Sequence, residues 1–317
     1  MNPVSLIFRT AVASRNALYD HGVFKVHKLA RPVVSIGNIS VGGSGKTPFV
    51  IALGELLQQR GIEFDVLSRG YGRSSTDIAV VDPNGSPAQF GDEPLLIARK
   101  LRAPVIVGAD RYQAGLLAEK QFPSKLHLLD DGFQHRRLHR DFDIVLLPAE
   151  DQRGTLLPMG RLREPLSALE RADAVVLPDS QEPPSPSLPT FHAKSVWRAR
   201  RQIEIAADGR LIAFCGIARP QQFFDALKAA HQEIASTFTF GDHHRYVQRD
   251  IDSLLNLKKQ TAASGFITTE KDAINLGALS AQLQPLRAAT LRIDLESHDS
   301  VMAELLKTLE QRSGCRF

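Results

Sequence analysis

Ser40-Val41-Gly42-Gly43-Ser44-Gly45-Lys46-Thr47 decides how the rest of the chain is read. An apolar run, Val33-Val34-Ser35-Ile36, leads into it, and a helical pattern from Phe49 to Gln59 leads out. Strand, glycine-rich turn and helix start form the outline of a P-loop. In that reading Gly42, Gly43, Ser44 and Gly45 turn backbone N–H groups toward phosphate oxygens, where side chains beyond Cα would obstruct the approach. Lys46 brings a mobile charge to the β- and γ-phosphates, and Thr47 a hydroxyl for Mg²⁺. Pro48 suits the first helical turn, where a missing N–H costs no hydrogen bond. The pattern G-x-x-x-x-G-K-[ST] would place its first glycine at Ser40, so an ordinary glycine-rich turn stands as the alternative.

The whole chain sets the bounds. Its 317 residues, 43% hydrophobic and 23% charged, suit one large or two moderate domains of a soluble globular protein. A net charge of +4 and a pI near 9.1 are too mildly basic to argue for a nucleic-acid partner. Cys215 and Cys315 show neither metal-type spacing nor a disulfide framework, which points to a reducing cytoplasm. No apolar run reaches the roughly 20 residues of a membrane-spanning helix.

Near the start, Val4, Ile7, Phe8, Ala11, Val12, Leu18 and Tyr19 recur at helical spacing. Arg9, Arg15, Lys25, Lys28 and Arg31 face one acid, Asp20. Arginines interrupt the apolar stretch, which argues against a secretory signal. The segment reads either as a helix packed on the domain or as a basic amphipathic helix on an anionic membrane surface.

Downstream, the strand Phe64–Leu67 ends in Ser68-Arg69-Gly70-Tyr71-Gly72-Arg73, a contact loop for phosphate or sugar or else a plain turn. Gly91-Asp92-Glu93-Pro94 opens a helix with Asp92 where an N-cap belongs. The strand Pro104–Val107 leads to Asp110-Arg111. The strand Lys125–Leu129 ends in Asp130-Asp131, a Walker B element whose carboxylates would hold Mg²⁺, or a solvated turn. Arg153, Arg161 and Arg163 in the next long loop suit a polyanion. A proline-rich stretch from Asp179 to Pro189 is the best boundary, Thr190–Ala206 reads as one or two strands turning at Asp208-Gly209, and a smaller α/β unit follows. There Asp242-His243-His244 sets an acid beside two histidines, the arrangement that orients a general base. A zinc site would want another ligand. Thr269-Glu270-Lys271-Asp272 brings further charge near the same cleft.

Together these strings resemble the tetraacyldisaccharide 4′-kinase family, the lipid A 4′-kinases of Gram-negative bacteria. Gly37-Asn38 with Val41–Pro48, Ser68–Tyr71, Gly91–Pro94, Asp130–His135, Leu162–Pro165, Asp242–His244 and Thr269–Asp272 carry the likeness over nearly the whole chain. It implies an α/β fold: a P-loop NTPase-like domain with a mainly parallel sheet, plus a smaller C-terminal α/β domain joined by a two-stranded linker. The expected divisions are 1–30 for the N-terminal helix region, 31–178, a connector over 179–210, and 211–317, whose end helix is a candidate to pack back on the first domain. The implied reaction is ATP- and Mg²⁺-dependent phosphorylation of the 4′-hydroxyl of a tetraacylated glucosamine disaccharide 1-phosphate. The expected workplace is the cytoplasmic face of the inner membrane, with no nucleic acid or protein partner. The resemblance puts Thr47, Asp130, Asp131 and Glu164 around the metal, and Asn38, Arg69, Tyr71, Arg111 and Arg163 toward the substrate. It pairs Asp92 with a histidine of Asp242-His243-His244; His243, directly after the acid, is the choice, with Lys46 as the third catalytic group. A P-loop kinase for another sugar is the alternative. A GTPase-like switch would carry an N-K-x-D loop, which the sequence lacks.

Overall fold

The computed structural model describes residues 3–179, 195–205 and 209–317. Chain order begins α1 (Pro3–Asp20), β1 (Val33–Asn38), α2 (Lys46–Gln59), β2 (Phe64–Ser68), β3 (Ala79–Val80), α3 (Pro87–Phe90), α4 (Asp92–Leu101) and β4 (Val105–Val107). It continues α5 (Arg111–Gln121), β5 (Leu126–Asp130), β6 (Phe142–Leu146), β7 (Ala174–Pro178), β8 (Ser195–Glu204), β9 (Leu211–Cys215) and α6 (Pro220–Ala229). Then come β10 (Ile234–Thr239), α7 (Gln248–Thr261), β11 (Gly265–Thr269), α8 (Glu270–Leu276), β12 (Leu286–Leu295) and α9 (His298–Ser313).

All the described strands share one sheet of 12 strands, ordered β10-β9-β11-β12-β8-β7-β6-β1-β5-β2-β4-β3. Every pairing is parallel except β3 with β4 and β8 with β12. β1 lies between β5 and β6, buried along its whole length. Its near-continuous apolar sequence is what a parallel strand covered on both faces requires. On one face α2, α4 and α9 pack over Val34, Ile36, Val66 and Phe142; on the other, α5 covers Val33, Leu67, Ile106 and Leu129. In register Ile36 faces Asp130, so β1 and β5 deliver Asn38 and Asp130-Asp131 to the same carboxyl edge. That is where ligand loops of an open α/β sheet gather.

The sheet does not break between the two halves of the chain. The first part of β12 runs parallel to β11, and its second part, Thr290–Leu295, runs antiparallel to Ala199–Glu204 of β8. These two strands make the two-stranded connection, so the alternation seen in Thr190–Ala206 finds its partner in β12, some 90 residues on. The proline-rich stretch from residue 180 and the turn at Asp208 lie outside the described residues. α9 returns to the first half, where Val301, Met302, Leu305 and Leu309 join the core with Phe142, Val176 and Trp197. Arg312 fastens its end to Asp173 at 2.7 Å.

Two local expectations change. Asp92 is the first residue of α4 and not its N-cap; Gly91 takes that place at φ 90°, ψ 152°, a conformation a side chain would resist. The N-terminal stripe also divides. Phe8, Val12 and Tyr19 are half-buried, with Arg136 stacked 5.1 Å over the Tyr19 ring, while Val4, Leu6 and Ile7 are exposed. Arg15 turns inward to donate to the Gln134 carbonyl and so leaves the basic face.

Candidate active site

The P-loop has the geometry its sequence requires. Gly42, Gly43 and Gly45 all take positive φ, and Gly45 caps α2 in the left-handed region at φ 87°. Ser40 needs no such freedom. It is buried, its Oγ donates to Asp151, and it accepts from Asn38 Nδ2 at 3.2 Å. A serine therefore serves at this position as a hydrogen-bonded anchor. The second half of the chain covers the loop: Arg219 lies against Gly43, Arg201 against Gly45, and Arg201 donates to the Ser44 carbonyl.

Lys46 Nζ donates to Asn38 Oδ1 at 3.3 Å and lies 3.5 Å from Asp131 Oδ1. Arg163 grips Asp131 with two guanidinium nitrogens, at 2.8 and 3.1 Å, and donates to Asn38 Oδ1 as well. Burial works to raise the Asp131 pKa, but Lys46 and Arg163 hold it well below the usual carboxylate range. Asp131 keeps φ at 51°, strained for a non-glycine residue, as backbone at working sites often is.

Asp130 is placed differently. It is buried; Ser68 Oγ donates to its Oδ2 at 3.0 Å, and its Oδ1 has no partner. Burial, with Glu93 and Asp131 nearby, pushes its pKa well up. A carboxylate kept dry beside another and left with an unfilled oxygen is a fitting ligand for a divalent cation. The buried Ser44 Oγ is likewise unpartnered. Among the described residues no three His, Cys, Asp or Glu side chains form a ready metal cage. A Mg²⁺ here would draw on Thr47, Asp130, Asp131, phosphate oxygens and water. Glu164 stands apart from that set. Its oxygens accept from Arg171 at 2.9 Å, Gln134 at 3.0 Å and Asn16 at 2.8 Å, so the structure gives it the work of bracing α1 against the sheet edge.

Across the cleft, His243 Nδ1 lies 3.0 Å from Asp92 Oδ2, the two residues being 151 positions apart. His243 takes φ 55° in its turn. Asp92 also accepts from Asn275 Nδ2 at 3.0 Å, and Lys271 Nζ lies 3.8 Å away. Burial alone would raise its pKa; His243, Lys271 and Asn275 outweigh that and hold it at about 2. For His243 burial lowers the pKa and the bond to Asp92 raises it, with a net rise. His244 serves the loop instead, bonded to Asp250 at 2.8 Å and stacked on Phe240. The Tyr71 ring lies 5.0 Å from the His243 ring, and Arg245 donates to the Gly72 carbonyl at 2.6 Å, joining the two loops.

Glu93 ties the two ends of the site together, since it faces Lys271 at 3.8 Å and raises the Asp130 pKa. Arg111 is buried with its Nε unpartnered, and burial and the neighbouring Arg69 depress its pKa against the pull of Asp131 and Asp130. Asn38, Arg111 and Arg163 therefore flank the acids, and Tyr71 flanks the histidine. Sequence reasoning passed over Asn275, Arg201 and Arg219, while Ser68 was part of the contact loop read after β2. Asn275 had a signal, standing four residues after Lys271 on one helical face; the others had none.

A family profile described as LpxK, tetraacyldisaccharide-1-P 4′-kinase, matches residues 1–310. A Koribacter versatilis (strain Ellin345) protein named tetraacyldisaccharide 4′-kinase is 49% identical over 99% of this chain and 100% of its own length. A protein of the same name from Aquifex aeolicus (strain VF5) is 37% identical over 86% of this chain and 88% of its own. The crystal structure of the "apo" form of LpxK from Aquifex aeolicus in complex with ATP superposes with a TM-score of 0.77 at 32% identity, covering 97% of this chain and 98% of that one.

Proposed function

The chain belongs to the tetraacyldisaccharide-1-P 4′-kinase family, and from that premise we propose how its residues divide the phosphoryl transfer. ATP is the phosphoryl donor and the 4′-hydroxyl of a tetraacyl disaccharide 1-phosphate is the acceptor, a step of lipid A biosynthesis. The P-loop N–H groups cradle the phosphates, and Lys46 meets the charge that develops on the transferred group. Thr47, Asp130 and Asp131 would hold Mg²⁺, which would supply further positive charge against the developing negative charge. Arg163 and Asn38 keep Asp131 and Lys46 in place; Arg69, Arg111 and Tyr71 line the approach of the acceptor. The acceptor oxygen bonds to the γ-phosphorus as the bond to the β-bridging oxygen breaks, and the hydroxyl proton passes to the Asp92–His243 pair. The transition state is loose, so the proton leaves the hydroxyl late and the pair needs to act only then. Residues 31–178 act as the nucleotide unit, 179–210 as connector and 211–317 as the unit that brings His243.

The observation that carries this reading is the 3.0 Å contact between Asp92 and His243, opposite a P-loop whose lysine and acids are already gathered. Asp92→Ala and His243→Ala should each lower turnover by roughly 10²–10⁴, and the double variant by little more, with ATP binding intact in all three. Losses that multiply in the double variant would separate the two roles.

Among the described residues no helix is long and apolar enough to cross a membrane. The surface around α1 supports peripheral attachment to the cytoplasmic face of the inner membrane, where a glycolipid acceptor resides. Val4, Leu6 and Ile7, with Val23, Phe24 and Val26 just beyond the helix, are exposed beside the exposed Arg9, Lys25 and Lys28. Each basic residue near an anionic surface is worth about 1 kcal/mol. A kinase for a water-soluble sugar would have no use for that apolar tip.

A further inference from the structure

Asp272 is a buried carboxylate that the division of labour above leaves unused. It is the third residue of α8, where an acid ordinarily does no more than cap the helix. One oxygen does that work. Oδ2 accepts from Thr269 Oγ1 at 2.6 Å, and Thr269 Oγ1 accepts from the Asp272 N–H at 3.1 Å. Oδ1 accepts instead from the Gly216 N–H and from Tyr246 Oη, each at 2.9 Å. Gly216 directly follows β9, and Tyr246 lies in the loop after β10 that carries His243. Burial raises the Asp272 pKa against the pull of these hydrogen bonds. The Gly216 peptide extends the chain of contacts, since its carbonyl accepts from the His243 N–H at 3.2 Å. His243 sits there at φ 55°, a conformation that surrounding structure must support. Only glycine fits at 216: a Cβ would lie 2.9 Å from the Gly241 carbonyl oxygen, 3.0 Å from His244 Cβ and 3.1 Å from Asp272 Oδ1.

Resting on the Asp92–His243 reading, we infer that Asp272 is a positioning residue for the transfer: through the Gly216 peptide, its Oδ1 sets the turn that brings the His243 ring to Asp92. What it contributes is an acceptor oxygen at a fixed place. Two donors from two different loops meet on that one atom, so the loops after β9 and β10 hold a single arrangement. Further along the loop after β9, Ala218 and Arg219 lie against Gly42 and Gly43. They have support of their own, because Arg219 pairs with Glu150 at 3.2 Å and Asp151 at 3.1 Å. Loss of the Asp272 oxygen should therefore show in the histidine and spare the nucleotide. The charged groups facing the His243 ring are Asp92 and Glu93 from α4, Asp242 from its own loop and Lys271 from α8. All four stay in place when Asp272 or Gly216 is changed, so the pKa of the histidine reports its distance from Asp92.

The test uses the full chain. Asp272→Leu should lower kcat by roughly 10- to 100-fold, the cost of a small misplacement, and leave the KM for ATP within about twofold of wild type. Titration of the histidine ring signals by NMR, with His243→Ala identifying them, should find the His243 pKa lower by about one pH unit. Asp272→Asn keeps an acceptor oxygen for Gly216 and Tyr246 and turns its NH₂ toward Thr269, so it should restore both readings. Gly216→Ala crowds the same peptide with Asp272 intact; it should reproduce the loss, and it carries the test if the leucine variant does not fold. Added to His243→Ala, Asp272→Leu should cost little more, since the residue it positions is already gone. A further loss of full size there would overturn the inference. So would an Asp272→Asn enzyme as slow as Asp272→Leu, or a slow leucine variant whose His243 pKa has not moved. His243→Ala alone keeps the two readings apart. Full turnover there defeats the Asp92–His243 pair itself, whereas loss there with normal Asp272→Leu and Gly216→Ala enzymes defeats only the role given to Asp272.

Discussion

Strand β5 carries a buried titratable side chain near each end, His127 and Asp130, and their surroundings are opposite. At the amino end His127 is closed in by Asp65, at 2.8 and 3.0 Å, and by Glu119 at 3.4 Å. Burial works to lower its pKa, but the two acids raise it to about 9. At the carboxyl end Asp130 keeps one hydrogen bond, to Ser68, and one empty oxygen. One charge is completed by the protein; the other is left for something that arrives. A buried charge with all its partners is structure, and one with a partner missing marks a site.

The largest effect should come from the open end. Lys46→Ala should lower turnover by roughly 10³–10⁵, the range a single transition-state cation commands in phosphoryl transfer. Steady-state kinetics with ATP and the glycolipid would show it, and a loss under tenfold would remove Lys46 from the reaction. Asp130→Asn should cost roughly 10²–10³ in turnover. Yet calorimetry of the metal-free protein should find its melting temperature no lower than the wild type's, because a strained buried carboxylate has been neutralised. Mg²⁺ with nucleotide should raise the melting temperature of the wild type more than that of the variant. A metal-free Asp130→Asn protein that melts much earlier would make the two ends of β5 alike.

His127→Gln should do the reverse, keeping turnover close to wild type while losing roughly 3–5 kcal/mol of stability, as breaking a buried ion pair does. The pH sign follows from the raised pKa. The His127 contribution is fully present below the imidazole's unfolded value, near 6.5, and disappears as pH rises through about 9. Urea unfolding from pH 6 to 10 should therefore show a decline that His127→Gln flattens. The smallest effect belongs to a third kind of incomplete group, the exposed apolar tip at α1. Ile7→Asp and Phe24→Asp should each weaken sedimentation with anionic vesicles by roughly tenfold, about 1.4 kcal/mol, with turnover on detergent-dispersed substrate unchanged. Unaltered vesicle binding in both would end the membrane reading.

The open end of β5 was legible because its parts are local. A P-loop and a strand ending in two acids are each a few consecutive residues, and their chemistry follows from residue type alone. The contact between Asp92 and His243 was reached through resemblance, because nothing local links positions 151 apart. Asn275, Arg201 and Arg219 act through tertiary approach of the second half of the chain, which spacing does not encode. The metal expectation for Glu164 came from its place in a motif, while its partners Asn16, Gln134 and Arg171 come from three separate segments. α1 was legible only in part, for a related reason. Periodicity marks an apolar stripe but not which part of it another surface takes, and Arg136 settled that for Tyr19.

The return of α9 to the first half has a consequence for how the protein is made. As the chain leaves the ribosome, residues 31–178 emerge early with their strands in order. The apolar surface formed by Phe142, Val176 and Trp197 then waits through more than a hundred further residues for Val301, Met302, Leu305 and Leu309. Until those residues appear, the nascent nucleotide unit carries a bare hydrophobic flank, the kind of surface that chaperones bind and that drives aggregation. A stop codon before His298 should therefore yield a product that is insoluble or rapidly degraded, even though every residue assigned to the chemistry has been translated.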